Sequence, residues 1–272
     1  PNDKITVENL LKGIIIASGN DACIALAEGI AGSEESFAIM MNEKAKDIGM
    51  KNTNFSNASG IFSGDNYSTV ADVGMMSVHL IKNYPDLYKI YSEKSFTWDR
   101  TGGKPIAQSN RNSLLYRNSN VDGIKTGHLS DSGFALAASM KNGERRLVSV
   151  VSGTASNAER TRESLKLLNY AVITTDLIKI KKDNPLLVAE FWNGKTNQTQ
   201  LHLKEDVFFA YSKRKSRDLN LTISIEQPIK KQFKINDELG LLKVQDKNGF
   251  SKEYALYASE NYTKINFIRK FI

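Results

Sequence analysis

Val121-Asp122-Gly123-Ile124-Lys125-Thr126-Gly127-His128 stands just before two apolar runs, residues 134–140 and 146–151, joined through Asn142-Gly143. Asn-Gly between two apolar runs is a strong hairpin signal, because both residues tolerate the positive φ that a tight turn needs. The region therefore predicts an antiparallel sheet with Lys125-Thr126-Gly127 at its start.

Helical patterns lie on either side. Residues 7–17 carry Leu10, Leu11, Ile14 and Ile15 at helical spacing. Residues 21–30 make a second helix, ended by Gly32. Ser33 caps a third, which puts Phe37, Met40, Met41 and Ile48 on one face and stops at Gly49. Ser68 or Thr69 opens a fourth, with Val70, Val73, Met76 and Leu80 inward, and Pro85 ends that region. Residues 160–171 return to helix, with Leu165, Leu168 and Ala171 on one side. Helices packed on an antiparallel sheet make an α+β domain, predicted over residues 1–176. From residue 177 to 258 short strands recur between turn signals such as Asn193-Gly194 and Asn248-Gly249, which predicts a small all-β sandwich or barrel. In residues 259–272, Tyr262, Ile265, Phe267, Ile268, Phe271 and Ile272 interleave with Lys264, Arg269 and Lys270. A helix there would be amphipathic and basic, the pattern of a segment lying in a membrane interface.

The 272 residues carry a formal net charge of +7, which favours anionic partners. No basic patch with interleaved aromatics supports nucleic acid as one of them. A single cysteine, Cys23, excludes an internal disulfide framework and reads as a small core residue. His79, His128 and His202 are far apart in the sequence and lack a ligand cluster, so no metal site and no cofactor are expected.

Ser18-Gly19-Asn20 sits between two helical stretches, about a hundred residues before Lys125-Thr126-Gly127. Together these offer parts of a serine acyl-transfer site. A lysine near a nucleophile favours negative charge there and can pass a proton through a neighbouring hydroxyl, which Ser18 supplies. The Asn20 amide both donates and accepts, so it can orient a lysine and a substrate carbonyl together. Gly127 lets a peptide lie along the strand edge, and the Thr126 hydroxyl can bond a terminal carboxylate. Each tripeptide alone is commonplace; their order, one between helices and one at a sheet, raises the signal.

These motifs resemble the serine D-alanyl-D-alanine carboxypeptidases, the low-molecular-weight penicillin-binding proteins. So do Lys51-Asn52-Thr53 with Phe55, Ser109-Asn110-Arg111-Asn112, and the opening stretch above. The resemblance implies a β-lactamase/transpeptidase-like α+β domain, then a β domain and an amphipathic anchor. It implies catalytic roles for Ser18, Asn20 and Lys125, and substrate binding by Lys125, Thr126, Gly127, His128, Arg111 and Arg160. The implied partners are a peptidoglycan stem peptide ending in D-Ala-D-Ala and β-lactam antibiotics. Peripheral contact with an anionic membrane would follow, on the periplasmic face of the bacterial inner membrane.

The family's nucleophile lies in a Ser-x-x-Lys upstream of the Ser18 motif, and none stands there in this sequence. Ser212-Lys213-Arg214-Lys215 has the spacing but falls in the β region. The expectation is a carboxypeptidase acting through an acyl-enzyme, inactive as these 272 residues alone. The alternatives are a non-catalytic remnant that binds peptidoglycan or a protein, and a β-lactamase or endopeptidase on the same fold.

Overall fold

The chain divides into two units, Pro1–Ile173 and Thr174–Ile272. The structure is a computed structural model. It describes residues 4–61, 63–99, 103–191, 198–214, 219–226, 229, 232–247 and 249–262.

In the first unit, local chemistry starts and stops the helices. Thr6, Ser33 and Thr69 each accept a backbone N–H from three residues on, opening α1 (Val7–Lys12), α3 (Glu34–Ile48) and α4 (Val70–Asn83). Gly32 and Gly49, at φ 82 and 91, close α2 (Asn20–Ala31) and α3 in the left-handed region that glycine reaches without strain. Pro85 does not simply end this region: it begins a short helix, α5 (Pro85–Tyr88), where a missing N–H costs nothing. A hairpin of β1 (Ser95–Trp98) and β2 (Ile106–Ser109) follows, then α6 (Leu114–Arg117).

The sheet is antiparallel in the order β3 (Val121–Leu129), β4 (Gly133–Asn142), β5 (Arg145–Thr154). Asn142 pairs with Arg145, and Gly143 takes φ 61 in the two-residue turn between them. Lys125-Thr126-Gly127 lies within β3, the first strand of the sheet. Gly123 and Gly127 depress strand propensity and hide β3 from a pattern search.

One face of the sheet packs on α4 and α5, where Val148, Val150, Ala137 and Ile124 meet Val73, Leu80 and Tyr88. The other packs on α7 (Asn157–Thr174), where Leu136, Ala138 and Met140 meet Leu168. Val70 and Met76, expected inward on α4, are 50% and 36% exposed.

The second unit is all-β. β6 (Thr175–Ile180) pairs with β9 (Val207–Ser212). β7 (Leu187–Glu190), β8 (Gln198–His202), β10 (Leu219–Ile225), β11 (Glu238–Asp246) and β12 (Ser251–Ala258) form a sheet in the order β10-β11-β12-β8-β7. Leu201, Val244, Leu256, Phe191 and Phe233 lie in its core. The amphipathic helix expected at the end falls outside the described residues from 263 on. Among the described residues no helix is long and apolar enough to cross a membrane.

Candidate active site

The helix α1 runs into a π-helical turn, Gly13–Ala17, which buries Ile15 and Ile16 and delivers the chain to Ser18. Ser18 is left-handed, φ 61 and ψ 44, and its backbone N–H bonds the Gly13 carbonyl. A serine held there is strained relative to glycine, which marks a constrained position. Asn20 begins α2 with an exposed side chain.

Lys125 comes to this turn from β3. Its Nζ donates to Ser18 Oγ at 2.7 Å and to the Thr126 carbonyl at 3.2 Å. Burial, then the charges of Arg111 and Arg160, bring the Lys125 pKa down to about 8, although Cys23 pulls the other way. Cys23 is half-buried beside the lysine, and burial raises its thiol above the usual range. It is therefore a poor nucleophile, in keeping with a structural role.

Arg160 is buried on α7, 5% exposed. Its guanidinium donates to the Gly127 carbonyl at 2.9 Å and to Ala135, the residue paired with Gly127, at 3.4 Å. It also bonds Asn157 Oδ1 and lies 5.4 Å from the centre of the Phe134 ring. Arg160 thus braces the motif strand from α7 while adding positive charge. His128 is exposed and lies against the Phe134 ring, with centroids 3.9 Å apart and the planes tilted by 30°. Arg111 is exposed and makes no hydrogen bond or ion pair among the described residues. The asparagines flanking it are buried. Asn110 Nδ2 donates to the Glu93 carbonyl, and Asn112 Nδ2 to the Gly123 carbonyl on β3. They pin the loop that carries Arg111, whose charge acts on Lys125.

A clamp on β3 is absent from the motif reading. Asp122 accepts two hydrogen bonds from Arg146 on β5, at 2.7 and 2.8 Å, and one from the Tyr88 hydroxyl at 3.0 Å. Arg146 also donates to Ser139 on β4 at 2.6 Å. Burial opposes the Asp122 charge, but Arg146, Tyr88 and Lys141 outweigh it and hold the carboxyl below its ordinary range. The neighbouring Gly123 leaves room for Tyr88, since a Cβ there would collide with the Tyr88 hydroxyl. Only the adjacency of Asp122 to the motif hinted at this role.

The arrangement is a shared hydroxyl–ammonium pair beside two arginines, at a strand edge unpaired among the described residues. It sets a hydroxyl and several positive charges side by side, a combination suited to a carboxylate-bearing ligand. Residues 1–156 match the D-alanyl-D-alanine carboxypeptidase family of S11 peptidases, and residues 178–264 match the penicillin-binding protein 5 C-terminal domain. D-alanyl-D-alanine carboxypeptidase DacA of Escherichia coli K12 is 34% identical over all of this chain, which covers 67% of that relative. DacC of the same organism is 37% identical over 84% of this chain and 56% of its own length. Penicillin binding protein 5 of Haemophilus influenzae superposes with a TM-score of 0.79 at 31% identity, covering 96% of this chain and 75% of that one. The chain belongs to the D-alanyl-D-alanine carboxypeptidase family, and it spans 56% to 67% of the length of these two curated relatives.

Proposed function

We propose that the chain forms the carboxylate-recognising side of a serine D-Ala-D-Ala carboxypeptidase that trims peptidoglycan pentapeptide. The hydrogen bond from Lys125 to Ser18, set among Arg111 and Arg160, carries this reading. The peptide adds along β3, and its terminal carboxylate meets Lys125 and the Thr126 hydroxyl. A serine from a Ser-x-x-Lys attacks the penultimate carbonyl, and the tetrahedral intermediate collapses as the D-alanine amine leaves. Ser18 Oγ passes the amine its proton and recovers one from the Lys125 ammonium, which is made good by the proton that the attacking serine gives up. Water then frees the acyl-enzyme. β-Lactams, which carry a carboxylate beside a strained amide, enter by the same contacts. Asn20, at the start of α2, holds the substrate amide.

The nucleophile is not among these residues, so the 272-residue chain alone forms no covalent penicillin adduct. Mass spectrometry after incubation with a labelled penicillin tests this. A stoichiometric adduct on any serine of the chain would refute it. A non-catalytic binding role is less favoured, because a repurposed cleft has no need of the Ser18–Lys125 pair. The sequence of residues 259–272, in which Lys264, Arg269 and Lys270 interleave with apolar residues, supports peripheral attachment to the anionic, periplasmic face of the inner membrane.

A further inference from the structure

The strands β3 and β4 fall out of step at one residue. Val121 pairs with Met140 and Gly123 with Ser139, so Asp122 has no opposite number on β4. Such an extra residue is a β-bulge. From Gly123 on, the pairing runs regularly to Leu129, and Lys125 lies in that regular stretch, just past the bulge. Side chains alternate along a strand, so the bulge decides which residues after it face which way. A slip by one residue would turn Lys125 away from Ser18 and offer Ile124 or Thr126 in its place.

The ladder does not hold an unpaired residue, and here side chains from four places do. From β5, Arg146 gives the Asp122 carboxylate hydrogen bonds at 2.7 and 2.8 Å. It also reaches Ser139, the residue opposite Gly123, at 2.6 Å. From α5, the Tyr88 hydroxyl donates to the same carboxylate at 3.0 Å, and its ring centre lies 5.3 Å from the guanidinium carbon of Arg146. From β4, Lys141 Nζ stands 3.6 Å from Asp122. From the loop before α6, Asn112 Nδ2 donates to the Gly123 carbonyl at 2.9 Å. These contacts fall on residues 122 and 123, whereas the hydrogen bonds of Lys125 go to Ser18 and Thr126. A forked, partly buried arginine–carboxylate pair contributes geometric specificity more dependably than net stability.

We propose that Asp122 is a positioning residue for the reaction: locked by Arg146 and Tyr88, it fixes the bulge that presents Lys125, and not a neighbour, to Ser18 and to a bound carboxylate. The lock stands on geometry; its service to the reaction rests on the function proposed above.

The test follows the ionisation of Lys125 by NMR in the 272-residue chain with isotope-labelled lysines. Burial, Arg111 and Arg160 depress that ionisation in the native seat, against a smaller pull from Cys23. Asp122→Ala and Arg146→Ala should both release Lys125 from the seat, so its titration should rise toward the ordinary lysine value in both. Charge alone predicts opposite shifts: losing the carboxylate would lower it and losing the guanidinium would raise it. Both variants should also weaken binding of N-acetyl-D-alanyl-D-alanine at least about tenfold, as loss of a charge-assisted hydrogen bond does. Tyr88→Phe, which removes one hydrogen bond and no charge, should move both readouts the same way by less. It carries the test if an alanine variant fails to fold. A Lys125 titration unmoved in folded variants overturns the proposal, because a loss of stability alone would leave it there. So does a fall in Asp122→Ala beside a rise in Arg146→Ala. A native chain that binds no such peptide, with the Lys125 titration still rising in the variants, would leave the lock standing and refute the carboxylate-binding function.

Discussion

Lys125 Nζ lies 2.7 Å from Ser18 Oγ, although 107 residues of chain separate the two. One residue comes from the middle of a strand, the other from a left-handed turn after a π-helix. A lysine whose pKa is about 8 carries charge at neutral pH yet can surrender a proton at modest cost. The serine hydroxyl beside it can accept and donate in turn. The pair can therefore both hold a carboxylate and relay a proton.

In a chain completed with its nucleophile segment, Lys125→Ala should slow penicillin acylation about a hundredfold, or roughly 3 kcal/mol, the usual cost of removing a preorganised electrostatic contact. Ser212→Ala should leave the rate unchanged, because Ser212 ends β9 in the other unit. Rates of acylation by a fluorescent penicillin decide it; equal effects would remove Lys125 from the site.

Binding of an N-acetylated D-alanyl-D-alanine peptide should depend on pH. The free lysine titrates near 8. A bound carboxylate stabilises the ammonium and raises that value. Affinity is thus fullest below 8 and falls as pH rises above it, by up to about tenfold per pH unit until the bound-state pKa is reached. NMR titrations across this range should show the decline in the native chain and a flat, weak profile in Lys125→Met. A flat profile in the native chain would contradict the assignment.

Gly123→Ala should destabilise the first unit by about 1–3 kcal/mol, the range for overpacking a well-filled site. The added methyl meets the Tyr88 hydroxyl. Tyr88→Phe in the same chain should recover part of the loss, although alone it costs the hydrogen bond to Asp122. Thermal melts of the two single variants and the double one measure the coupling. Simple additivity would mean that the clash is relieved elsewhere.

Asp122→Asn should cost about 2 kcal/mol, as hydrogen bonds to a charged partner do. The folded Asp122 carboxyl titrates below its ordinary range. Its contribution is therefore full above the unfolded value of about 3.9 and is lost as pH falls from there through the folded pKa. The native chain should lose stability through that window, and the variant should lose less. Denaturant midpoints at neutral and acid pH compare them; identical acid sensitivity would mean other carboxylates dominate.

Deleting residues 259–272 should abolish co-sedimentation with anionic vesicles. Lys264, Arg269 and Lys270 each add about 1 kcal/mol at such a surface, and salt screens the attraction. Binding that survives the deletion would assign attachment to another part of the chain.

Much of the local structure was legible. Caps at Ser33 and Thr69 and stops at Gly32 and Gly49 act within a few residues, so their chemistry shows in the sequence. The full extent of the strand carrying Lys125, Val121–Leu129, was not legible, because its glycines look like turn residues and only the packing shows that Tyr88 needs the space at Gly123. The exposure of Val70 and Met76 was also missed: helical spacing says which residues share a face, not what stands opposite that face.

The sequence by itself determined the family, through Ser18-Gly19-Asn20 and Lys125-Thr126-Gly127, and the change from helical to all-β texture near residue 177. Tertiary structure alone decided who touches whom. It put Lys125 on Ser18, set Arg160 as a brace on the Gly127 carbonyl, and made Asp122 and Arg146 a clamp on the motif strand. The reason is physical. Caps and turns are short-range hydrogen bonds, set by neighbours in the chain. A buried charge takes its pKa and its partners from whatever the packed core brings against it, and residues 107, 33 and 24 apart become neighbours only when strands and helices close over a common core.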